Sequence, residues 1–76
     1  MKAIKTLLKY YELNQVYEFY DMVYNSLING NRTQAREQFL SMKKEDRKAC
    51  YKYYEGFYDC PNEWQRKNLN FFFDLI

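Results

Sequence analysis

The sequence contains no histidine, one proline, two glycines and two cysteines in 76 residues. Each shortage removes a class of chemistry. Without histidine, a serine or cysteine nucleophile lacks its usual acid–base partner. Two cysteines and no histidine cannot close a four-ligand zinc site from the usual residues. Two isolated glycines, Gly30 and Gly56, cannot form a glycine-rich phosphate loop. No apolar run approaches the roughly 18–20 residues needed to cross a bilayer, so no membrane association is expected. The opening Met1-Lys2-Ala3-Ile4-Lys5-Thr6-Leu7-Leu8-Lys9 places a lysine every few residues, and no signal-peptide core is expected there. Few breakers also mean few interruptions, which favours helices over many short strands.

Rings are abundant. Nine Tyr, six Phe and one Trp make 21% of the chain aromatic. Bulky side chains let a short helical chain fill its core with few residues. Nine tyrosines exceed what so small a core should absorb, so some are expected at the surface. Apolar residues at 47% and charged residues at 29% are the mixture of a globular chain. The length allows one domain, spanning residues 1–76, near the lower limit at which a core alone suffices.

Helical periodicity is clearest from Val16 to Ile28. Val16, Phe19, Tyr20, Val23, Tyr24 and Leu27 recur at i, i+3, i+4, i+7, i+8 and i+11. Asn14 is the expected N-cap, and Gly30 suits a left-handed residue just past the helix end. Upstream, Ile4, Leu7, Leu8 and Tyr11 predict a short first helix with a break near residues 12–14. Downstream, Thr33 is the expected cap of a third helix burying Ala35, Phe39 and Met42. The short connection at 29–32 makes the second and third helices antiparallel neighbours. A turn at 42–46 leads to a fourth helix with Ala49, Cys50, Tyr53 and Phe57 facing the core. Tyr58-Asp59-Cys60-Pro61 stops it. Pro61 suits the first position of a last helix carrying Trp64, Leu69, Phe72, Phe73 and Ile76. Strand propensity in Phe71-Phe72-Phe73 has no partner strand to satisfy it. The expected fold is all-α, a small single-domain bundle of four to five short helices.

The spacing of Gly30, Ala35 and Phe39 resembles the helix–turn–helix core of tetratricopeptide repeats. The likeness covers residues 16–42. No second unit follows at a period of about 34 residues, so it implies shared hairpin geometry and not a repeat array.

Charge is concentrated in the middle: residues 32–60 carry the whole net +2, and the segments on either side are neutral. Arg32 and Arg36 form an i, i+4 pair. Lys44, Arg47, Lys48, Tyr51 and Lys52 share a helix face. Cations interleaved with rings could follow a phosphate backbone. Seven cations opposed by five carboxylates neutralise few phosphates, so nucleic-acid binding through Arg32, Arg36, Lys44, Arg47, Lys48 and Lys52 ranks second and is expected to be weak.

First rank goes to binding of a protein. Tyr51, Tyr54 and Tyr58 fall at i, i+3 and i+7, on the flank of the expected core stripe, with Arg47 and Lys48 one turn before. Exposed tyrosine beside cations is the composition of interface hot spots. The outer side of the second helix, led by Tyr17 and Glu18, is the competing surface. Catalytic residues, metal and cofactor are not expected; Glu45-Asp46 reads as first-turn charge favourable to the helix dipole. Cys50 reads as a buried small residue and Cys60 as a half-exposed thiol, paired only if their Cα atoms come within about 7 Å.

In size and in the segment Asn29-Gly30-Asn31-Arg32-Thr33-Gln34, the chain resembles small helical accessory and inhibitor proteins of bacteriophages. That resemblance implies an anti-defence role in a bacterial cytoplasm, blocking a host protein or a defence nuclease complex in an anti-CRISPR-like manner. Reduced thiols suit that compartment. A structural helper that exists only as a homo-oligomer is the third expectation.

Overall fold

A computed structural model describes residues 1–57 and 63–76. Among these, five helices form: α1 Ile4–Tyr10, α2 Val16–Ile28, α3 Arg32–Leu40, α4 Lys44–Phe57 and α5 Glu63–Phe73. The small all-α bundle expected from periodicity is the observed architecture. Phe71, Phe72 and Phe73 close α5 as helix. The expectations on Tyr58, Cys60 and Pro61, including any Cys50–Cys60 pairing, fall outside the described residues.

Two turns use the same device. At the end of α2, Gly30 takes φ +88°. The Asn31 N–H then reaches Ser26 O at 2.9 Å, and the Gly30 N–H reaches Leu27 O at 3.1 Å. These are the paired bonds that satisfy orphan carbonyls at a left-handed helix end. At the end of α1, Glu12 does the same at φ 57°, with Leu13 N–H on Leu8 O at 2.8 Å and Glu12 N–H on Lys9 O at 3.2 Å. A side chain at positive φ costs roughly 1–2 kcal/mol that glycine avoids. Glu12→Gly is therefore expected to stabilise the protein, by about 0.5–1 kcal/mol after glycine's extra unfolded-state entropy. Gly30→Ala meets no atom within 4 Å, so its cost is purely conformational, about 1 kcal/mol. Urea denaturation midpoints moving in opposite directions for the two variants would confirm both; a shared direction would refute the account.

Helix starts depart from expectation by one or two residues. Gln15, not Asn14, is the N-cap of α2, and Asn31, not Thr33, caps α3; neither makes a side-chain cap bond. The chain start is tied down separately, by the Lys2 N–H donating to Ser41 O at 2.7 Å beside an isolated bridge to Met42.

The centre of the molecule is α2, which buries Phe19, Tyr20, Val23, Tyr24, Ser26 and Leu27. Phe19, Val23 and Phe39, the expected core, are fully buried. Between α2 and α3, the buried Ser26 hydroxyl lies 3.0 Å from Gln38 Oε1. Four rings from four helices meet at the middle. Phe72 lies 4.9 Å from Tyr54, 5.1 Å from Phe39 and 6.0 Å from Tyr24, centroid to centroid.

The inward face of α4 differs from expectation. Its buried residues are Arg47, Cys50 and Tyr54, while Ala49 is exposed and Phe57 is 66% exposed. Tyr54, expected at the flank, is fully buried because its hydroxyl finds an acceptor inside: it donates to Tyr20 O at 2.6 Å. A satisfied hydroxyl removes the penalty that would keep a tyrosine at the surface. Arg47, two turns earlier on the same 47–50–54 stripe, is drawn in with it. On α5 only Phe72 is fully buried; Trp64 and Phe73 are exposed.

Candidate functional site

The expected α4 surface is divided by this rotation. Tyr54 and Arg47 are interior, and burial removes both from any docking face and from the basic track. The Arg47 Nε has no hydrogen-bond partner. Tyr51 is half-buried, its ring centroid 5.6 Å from that of Phe73. Lys44, Lys48 and Lys52 are exposed, and Tyr58 lies outside the described residues.

A different ring surface forms where α2 meets α4. Tyr53 stacks on Phe57 at 5.4 Å with 10° between planes and lies 5.4 Å from Tyr20. Its hydroxyl donates to Asp21 Oδ1 at 3.0 Å, which fixes the ring to α2. Burial first, then the Asp21 carboxylate and the nearby Tyr17, push the Tyr53 phenol up to about 12. Tyr17, 51% exposed on α2, is near enough to contribute to that shift. The surface here holds two exposed rings, Tyr17 on α2 and Phe57 on α4, with half-buried Tyr53 stacked on Phe57 and bonded to Asp21. Sequence reasoning named Tyr17 as the competing surface but placed Tyr53 and Phe57 in the core. The spacing of residues 50, 53, 54 and 57 fits either rotation of α4.

Two shallow grooves flank α3. One, of about 590 Å³, lies between α2 and α3 and carries Glu18, Asp21, Asn25, Asn29, Asn31 and Gln34. The other, of about 460 Å³, lies between α3 and α5 and gathers Arg32, Arg36, Lys67, Phe71 and Asp74. Here the expected arginine pair is joined by Lys67 and Phe71, an i, i+4 pair on α5. The spacing of each pair is legible in the sequence; that the two pairs face one groove is not.

Compared with known proteins, the chain matches no family model, no curated protein sequence and no solved structure. The surfaces themselves are the ground for a functional reading.

The interior groups are unsuited to nucleophilic chemistry. Burial pushes the Cys50 thiol up to about 12, with a hydrogen bond to Tyr54 opposing the shift and the Asp21 carboxylate adding to it. A thiol so buried is not ionised near neutrality. Burial likewise raises Tyr20 to about 12, with Cys50 and Asp46 contributing. Among the described residues no three carboxylates or thiols cluster as metal ligands. None of the five described helices is long and apolar enough to cross a membrane.

Proposed function

We propose that this chain acts by binding another protein and performs no chemistry of its own. The observation that carries this reading is the ring patch on α2 and α4. Phe57 and Tyr17 stand mostly in solvent, although other rings of the same helices, Phe19, Tyr24 and Tyr54, are fully buried. Tyr53 supports Phe57 from below through its stack and its bond to Asp21. A preformed ring loses little entropy on binding, and exposed rings around a fixed polar group are how hot spots are built. The resemblance of the turn at 29–34 to small bacteriophage inhibitors supports the finer reading: the partner is a host protein or a defence nuclease complex in a bacterial cytoplasm.

Capture from a bacterial lysate with and without nuclease tests the class of partner. A protein retained after nuclease and at raised salt is the expected result. Loss on nuclease treatment would favour nucleic acid, the second reading, which the exposed Lys44, Lys48 and Lys52 support. With the captured partner in hand, Phe57→Ala and Tyr17→Ala should each weaken binding by about 2 kcal/mol. Tyr51→Ala should cost less, because Phe73 already covers part of its ring. Equal affinities for all three variants would remove the α2–α4 patch.

A further inference from the structure

We propose that the groove between α3 and α5 receives carboxylate side chains from an acidic segment of the partner protein. This deepens, and rests on, the protein-binding reading.

Three cations converge on the groove: Arg32 and Arg36 from successive turns of α3, and Lys67 from α5. Asp74 is the one carboxylate in its lining, so the groove carries net +2, equal to the net charge of the whole chain. The cations are not consumed internally. Among the described residues Arg36 and Lys67 have no ion-pair partner. Arg32 is held in place by a ring instead: its guanidinium carbon lies 5.1 Å from the Phe71 centroid, an attraction that orients the fork without neutralising it. The rotation of α5 is fixed from the core side. The Tyr24 hydroxyl donates to Gln65 Oε1 at 2.9 Å, and Asn68 Nδ2 donates to that hydroxyl at 3.5 Å. With residues 65 and 68 tied to α2, residues 67 and 71 are presented to α3.

Several features favour protein carboxylates over nucleic acid. A guanidinium already occupies Phe71, the ring best placed to stack a base. Arg47, expected to add to the basic face of α4, is buried. Half-buried Phe71 and Leu75 give the floor an apolar component, which suits an acidic segment with interspersed apolar residues. Arginine forks bind carboxylates in two-point fashion.

The test is a titration of the full chain at low ionic strength, followed by backbone amide shifts, with poly-L-glutamate, with oligothymidylate of matched charge, and with inorganic phosphate. Poly-L-glutamate should shift Arg32, Arg36, Lys67 and Phe71 and bind tighter than either other probe. The Arg36→Gln, Lys67→Gln double variant should lose about tenfold in affinity, and Asp74→Asn should gain about two- to threefold. All three positions are exposed, so neither variant disturbs the core. The proposal is overturned if oligothymidylate binds tighter, if only α4 amides shift, if the double variant binds as before, or if poly-L-glutamate does not bind. Any of these alongside nuclease-resistant capture removes the groove and leaves the protein-binding reading; loss of capture removes both.

Discussion

Phe72→Ala should destabilise the protein by about 3–5 kcal/mol, the usual cost of emptying a buried phenylalanine site that cannot collapse. Collapse is hindered here because the walls come from different helices: Phe39 on α3, Tyr54 on α4 and Tyr24 on α2 all lie within 6.0 Å, and Phe71 meets the ring edge-on at 5.2 Å. Two of those walls are pinned. Tyr54 is bonded to Tyr20 O, and Tyr24 to Gln65, so neither ring can swing into the void without breaking a hydrogen bond. A chain of this size holds roughly 4–11 kcal/mol in total, so most of the protein should be unfolded or close to its midpoint at physiological temperature. Phe39→Ala should have a similar though smaller effect, since of these rings it contacts only Phe72. Thermal melts by circular dichroism check both. A Phe72→Ala protein melting within a few degrees of the parent would mean that the four-ring centre is not what holds the helices together.

The sequence made the hairpin of α2 and α3 legible for a physical reason. Its apolar stripe has one solution at helical period, and Gly30 is both breaker and cap. The rotation of α4 was not legible. Cys50 and Tyr53 mark one edge of a stripe and Tyr54 the other, and periodicity treats tyrosine as ambivalent. What decided the matter was a single backbone oxygen, Tyr20 O, available to the Tyr54 hydroxyl. No one-dimensional pattern contains that acceptor. The same choice brought Arg47 inside with an unpartnered Nε, against the rule that arginine stays at the surface unless paired. It also put Phe57 outside, against the rule that places phenylalanine within. The basic groove was half legible. The Arg32–Arg36 pair stands out in the sequence, but Lys67 lies 31 positions beyond Arg36 and joins it only once α5 has packed onto the rings of α2, α3 and α4.

Raising the pH from about 9 towards 12 should progressively destabilise the protein, with the loss steepening above about pH 10. Cys50, Tyr20 and Tyr53 are each held protonated by the fold, with pKa values pushed up to about 12 from ordinary values of 9.0 for the thiol and 10.0 for the phenols. Desolvation is the leading cause at all three. The sign follows from proton counting. Between about pH 9 and 12 the unfolded chain releases these protons while the folded chain retains them, so the folded state binds more protons and stability falls as pH rises. Below pH 9 both states are protonated and the contribution is fully present. One group held protonated only in the folded state removes about 1.4 kcal/mol per pH unit. Cys50 and Tyr20, both buried, would together remove several kcal/mol between about pH 9 and 12, comparable with what a marginal domain of this size contains. Tyr53 is half-exposed, and solvent screening reduces its share. A distinct phase of the phenolate absorbance, that of Tyr20 and Tyr53, should therefore rise together with loss of helical circular dichroism. Cys50→Ala removes the earliest of the three groups, so its stability should begin to fall nearer pH 10 than pH 9. Stability that stayed flat from pH 9 to 11, or a Cys50→Ala profile parallel to the parent's, would show that these protons are not held by the fold.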